Sequence, residues 1–127
     1  MAYNPFSKYL GHVIGDGQCV EVVKLICGCP QTALWKRGAL VKGIPILPGT
    51  AIATFDPPNA ELPNGRYGNH EDGRSHAAVY LGQDLEGLRV LDQWAGEHAK
   101  PCHERKIWFD DKRTNVNNGN KFYVIES

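Results

Sequence analysis

The chain has 127 residues, with 14 Lys plus Arg against 14 Asp plus Glu, five His and a pI near 6.9. That size suits a single domain over residues 1–127, and 42% hydrophobic with 22% charged residues is a globular composition that argues against disorder. Zero net charge argues against nucleic acid as a main partner, and no apolar run approaches the ~18 residues of a membrane span. The opening MAYNPFSKYLGHVIGDG lacks a charged stretch followed by an apolar one, so we expect a protein made in the cytoplasm without a signal peptide.

Residues 1–17 are rich in turn formers, among them Pro5, Gly11, Gly15 and Gly17. From Cys19 to Cys27, CVEVVKLIC has no breaker, and Cys19, Val23, Ile26 and Cys27 fall on one helical stripe. Asp16 or Gly17 can cap this helix, and Gly28 with Pro30 ends it. A second short helix is expected over Thr32 to Val41, weakened by Gly38. The period then changes. After the Pro48-Gly49 turn come strands over Thr50–Phe55, His76–Gly82 and Leu88–Trp94, with Gln83 to Gly87 as a hairpin. Lys106–Phe109 and Lys121–Ile125 add two more. Helices followed by an antiparallel sheet of about five strands make an α+β fold.

Residues 56–75 hold three Pro, three Gly and three Asn, which reads as a long surface loop. It carries Arg66, Tyr67, His70, Glu71 and Asp72, candidates for substrate recognition or for a partner's epitope. Three consecutive side chains such as His70, Glu71 and Asp72 cannot easily converge on one ion. Cys27, Cys29, Cys102 and His103 have zinc-ligand chemistry but unfavourable spacing. No metal and no cofactor are expected.

Cys19 stands at the first turn of the expected helix, where free N–H groups and the macrodipole favour a thiolate and could hold an oxyanion. The plain alternative is a small buried residue. A nucleophilic thiol needs a base. His12 and His70 lie in turns, and His98 and His103 flank Lys100-Pro101. Only His76 opens an apolar strand that would hold its ring. A third group should fix the imidazole's tautomer. Asp92 and Gln93 are adjacent in the next strand, so only one of them can face His76. Asp92 is preferred, because a carboxylate inside an apolar strand needs a partner.

Four strings, GQCVEVV (Gly17–Val23), PGTAIATF (Pro48–Phe55), SHAAVYLG (Ser75–Gly82) and VLDQW (Val90–Trp94), occur in this order. In them the chain resembles the CHAP and NlpC-type papain-like cell-wall peptidases, and more narrowly the small amidase effectors of bacterial type VI secretion. Within those it looks closest to the third amidase-effector family, and the resemblance covers residues 15–109. It implies a papain-like fold and hydrolysis of peptide bonds in peptidoglycan, with Cys19 as nucleophile, His76 as base and Asp92 as orienting group. CHAP domains often carry Glu at the third position and Asn two residues on, where this chain has Asp92 and Trp94. Gln18, Arg66, Tyr67 and Gln93 are the expected substrate contacts.

The resemblance further implies delivery by the type VI secretion apparatus, action in a target cell's periplasm and a cognate immunity protein. The favoured bond is D-alanyl–meso-diaminopimelate, with γ-D-glutamyl–diaminopimelate as the alternative. A phage or housekeeping lysin domain and a non-catalytic binding protein of the same fold are the competing readings. Of the leftover thiols, Cys102 with Cys27 or Cys29 is the more plausible bridge, formed only in an oxidising compartment, and three buried, reduced thiols are the alternative.

Overall fold

The computed structural model describes residues 6–63, 65–70, 74–96 and 98–127. Among these residues one α-helix, α1 (Cys19–Cys27), packs on a six-stranded antiparallel sheet. Its strands are β1 (Lys36–Leu40), β2 (Ala51–Thr54), β3 (Ala77–Gln83), β4 (Gly87–Trp94), β5 (Lys100–Trp108) and β6 (Phe122–Glu126), in the order β1-β6-β2-β3-β4-β5. The α+β reading therefore holds, with one more strand than expected and short 3-10 turns in place of further helices.

The helix starts where the sequence places it. Gly17, at φ 91°, turns the chain into α1 in a conformation that a side chain would strain. Gly28, at φ 71°, ends it in the left-handed cap expected of glycine. Val22 and Val23 are fully buried, and Cys19, Val20, Ile26 and Cys27 pack beside them. This stripe covers Ala77, Val79 and Leu91 on one sheet face. Complete burial of each valine contributes about 1.5–3 kcal/mol. The opposite face has its own core around Ile52, Tyr80, Val90, Ile107 and Phe122.

Two expectations fail for physical reasons. The predicted helix over Thr32–Val41 is a 3-10 turn at Thr32–Leu34 followed by β1. Lys36 and Arg37 pair with Glu126 and Ile125 of β6, and a Cβ at Gly38 would meet the Val124 carbonyl at 2.8 Å. Pairing with a distant strand overrides the local helical pattern, and Gly38 permits the close approach. β5 begins at Lys100, well before Lys106. It is an edge strand of the sheet, where Pro101 is tolerated. Its Cys102 also exchanges backbone hydrogen bonds with the entering chain, Gly11 N–H to Cys102 O at 2.8 Å and Cys102 N–H to His12 O at 2.9 Å.

Candidate active site

Cys19 sits at the first turn of α1, over a cleft of about 650 Å³ that His76, Tyr67, Trp94 and Arg105 also line. Its position depends on β4. Gln93 is fully buried on the helix side of the sheet. There its Oε1 accepts from Ile14 N–H at 2.9 Å, and its Nε2 donates to Ile14 O at 2.7 Å and Gln18 O at 3.0 Å. This clip fixes the segment that leads into α1. Gln18 N–H also donates to Asp16 Oδ1 at 3.0 Å.

Strand alternation sends the neighbouring Asp92 to the other face, where it is fully buried. His76, one residue before β3, donates from Nε2 to Asp92 Oδ2 at 2.6 Å. The bond fixes the ring and leaves Nδ1 for Cys19. Phe122 and Trp94 flank the imidazole edge-to-face, with centroids at 6.4 and 6.5 Å. The backbone N–H of His76 donates to Thr54 Oγ1 at 3.0 Å, so β2 also holds this corner.

The electrostatics follow from these partners. Burial alone would raise the Cys19 thiol, but hydrogen bonding and charge from His76, then Tyr67 and the Ala77 backbone, bring it below its usual 9.0. Burial likewise opposes the His76 imidazolium, yet Asp92 and Cys19 raise it to about 9. Asp92 is held below the ordinary carboxylate value despite burial, by His76 and then Arg105. The arrangement favours a thiolate–imidazolium pair with an ionised carboxylate behind it. Tyr67 reaches Cys19 Sγ through its hydroxyl at 3.5 Å, and burial together with Cys19 pushes that phenol upward. It stays protonated and able to donate.

The other cysteines behave differently. Burial raises Cys27 to about 12 and Cys102 to about 11, and it raises Cys29 as well. All four thiols are free in this structure. Cys102 packs in the helix-side core, whereas His103 faces Asp92 and Trp94 on the other side. The zinc-type set of the sequence is thus divided by the sheet. Among the described residues no group of three or more His, Cys, Asp or Glu could hold a metal.

Of the expected substrate contacts, Gln18 and Tyr67 line the cleft. Gln93 does not, being spent on the backbone of Ile14 and Gln18. Arg66 is exposed and lines a neighbouring depression with Trp35, Leu62 and Tyr67. His70 lies at the cleft, its Nε2 against both Asp56 oxygens at 2.9 and 3.0 Å. Glu71 and Asp72 lie outside the described residues. His12 and His98 stand away from the cleft lining and contribute backbone carbonyls, to Cys102 N–H and to the Trp94 indole N–H. Sequence reasoning missed Arg105, whose Nε donates to Asp92 Oδ2 at 2.7 Å.

Comparison with known proteins points to one family. The family model described as domesticated amidase effector 2 matches residues 2–125. A type VI secretion amidase effector 2 protein of Salmonella typhi is 37% identical over 86% of this chain and 84% of its own. A domesticated amidase effector 2 of Ixodes scapularis is 38% identical over 97% of this chain and 80% of its own. A solved structure of type 6 secretion amidase effector 2 is 32% identical, with a TM-score of 0.75 over 98% of this chain and 94% of that one. The amidase-effector resemblance is upheld, and the matches carry the number two where the sequence strings pointed to the third family.

Proposed function

The chain belongs to the domesticated amidase effector 2 family, and from that premise we propose that it is a cysteine-dependent peptidoglycan amidase. The observation that carries the reading is Cys19 at the start of α1 beside an imidazole tied to Asp92 at 2.6 Å. The Cys19 thiolate attacks a stem-peptide or cross-link carbonyl. The tetrahedral oxyanion faces the free N–H groups of the first helical turn, and the Tyr67 hydroxyl stands 3.5 Å from Sγ as a further donor. His76, charged at neutral pH, protonates the departing amine and then deprotonates the water that hydrolyses the thioester. Asp92 orients the ring and stabilises its positive charge.

Gln18 and Tyr67 line the cleft that takes the peptide, and Arg66 stands in the adjoining depression, where a stem-peptide carboxylate would find a cation. The favoured bond is D-alanyl–meso-diaminopimelate. Delivery by the type VI apparatus, action in a target periplasm and a cognate immunity protein go with this reading, supported by the Salmonella typhi relative's description. Digestion of purified sacculi by wild type beside Cys19→Ala tests it. After a muramidase has cut the glycan of the treated sacculi, cleaved muropeptides should appear with wild type alone, and their new termini name the bond. Equal hydrolysis by Cys19→Ala would refute cysteine catalysis.

A further inference from the structure

Arg105 stands opposite Val90 in the β4–β5 register, on the same sheet face as Asp92 and with its side chain at the cleft. Three contacts fix its guanidinium. Nε donates to Asp92 Oδ2 at 2.7 Å, Nη2 donates to Val116 O at 3.2 Å, and its Cζ lies 5.3 Å from the Trp94 ring centre. Asp92 is loaded unevenly as a result. Oδ2 takes both His76 at 2.6 Å and Arg105 at 2.7 Å, while Oδ1 is buried with no hydrogen bond among the described residues. The group nearest in kind to a donor for Oδ1 is His103, whose Nε2 is 3.7 Å away. His103 Nδ1 is 2.8 Å from Pro101 O, which can only accept, so Nδ1 carries the proton. A neutral His103 then turns a lone pair toward Oδ1, and only a protonated one can donate to it.

We infer that Arg105 is a positioning residue for the hydrolysis, fixing the rotation of the Asp92 carboxylate so that Oδ2 faces His76 while Oδ1 goes without a donor. The inference rests on the proposed roles of Cys19, His76 and Asp92. The groups facing Asp92 are His76, Arg105 and His103, with the Cys102 thiol near it on the other face of the sheet, and of these Arg105 alone carries a permanent charge. A lysine cannot replace it, because its point charge lacks the rigid fork that bonds Asp92 and Val116 together.

Arg105→Ala separates positioning from substrate contact. With soluble muropeptides, kcat should fall about tenfold to a hundredfold, as for loss of one charge-assisted hydrogen bond. KM should stay within about twofold of wild type. The acid limb of Cys19 alkylation by iodoacetamide, read without substrate, should move to higher pH, since Asp92 loses one of its two cations. Added guanidinium should restore activity by entering the space that opens at the cleft, and Arg105→Lys should restore little. Unchanged kcat and alkylation, a loss confined to KM, or a folded variant that guanidinium does not rescue would each overturn the inference. Should Arg105→Ala not fold, Arg105→Gln carries the same readings. Hydrolysis by Cys19→Ala in the same assay would mark failure of the underlying function instead.

Discussion

The two ends of α1 each carry a cysteine, and they are opposite in chemistry. Cys19 opens the helix, and its thiol lies below 9.0. Cys27 closes it, and its thiol is raised to about 12. Burial pushes both upward, so burial does not distinguish them. Partners do. Cys19 meets the positive end of the helix dipole, the His76 imidazolium and the Tyr67 hydroxyl. Cys27 meets the negative end and the neighbouring Cys29, and its thiol donates to Gly49 O at 3.2 Å. One stays a proton donor while the other is made ready to lose its proton. Reactivity here is a property of position on the helix more than of the residue.

The largest test of this contrast removes the reactive end. Cys19→Ala and His76→Ala should each lower sacculus hydrolysis by about a thousandfold or more, and the double variant should be no worse than either alone. Both should keep the wild-type circular dichroism. Additive losses would show that the two residues do not act as a unit.

A second test reads both thiols in one sample. At pH 6, iodoacetamide should alkylate Cys19 about a hundredfold or more faster than Cys27, Cys29 or Cys102, as followed by peptide mass spectrometry. Cys19 labelling should stay fast down to about pH 5. Equal rates at the two helix ends would remove the contrast. The base limb of kcat/KM should lie near pH 9, where His76 gives up its proton. Because that value is raised from 6.5, the imidazolium's contribution to stability is complete below pH 6.5 and is lost as pH rises through about 9. Asp92 has the opposite sign. Its contribution is present above pH 3.8 and is lost as pH falls through its lowered value.

Asp92 sharpens the contrast from behind. Asp92→Asn keeps the shape of the side chain but weakens the imidazolium, so kcat should fall about tenfold to a hundredfold and Cys19 should titrate closer to 9.0. Asp92→Ala leaves the buried His76 and Arg105 without their counter-ion and should cost about 3–5 kcal/mol in denaturant unfolding. Full activity in Asp92→Ala would end its orienting role.

Much of this corner is legible in the sequence because it depends on local order. A breaker-free run after Gly17-Gln18 places Cys19 at a helix start, and an apolar strand places His76 at its mouth. Alternation in VLDQW separates Asp92 from Gln93 but does not tell which face each takes. Both turn out to be used, Asp92 behind the imidazole and Gln93 beneath the helix entrance. Arg105 was illegible for a different reason. Its partnership with Asp92 depends on the β4–β5 register and on β5 starting at Lys100, neither of which has a local signal. Once the register is known, His103, Arg105 and Ile107 fall on the face of Asp92 and Val90. Strand β1 was lost in the same way, since its pairing with β6 is remote in the chain.

The smallest effect is expected at the inert end of the helix. Cys27→Ala removes one thiol hydrogen bond to Gly49 O and a little packing beside Val23, while Gly49 keeps its own bond from N–H to Tyr80 O at 2.7 Å. The expected cost is about 1 kcal/mol, and Cys27→Ser, which retains a donor, should cost no more. Hydrolysis should be unchanged in both, because nothing in the cleft touches Cys27. Urea unfolding and sacculus digestion on the same preparations read the two quantities separately. A loss of activity without a loss of stability would mean that the two ends of α1 are coupled, and that the contrast between them is not set by local partners alone.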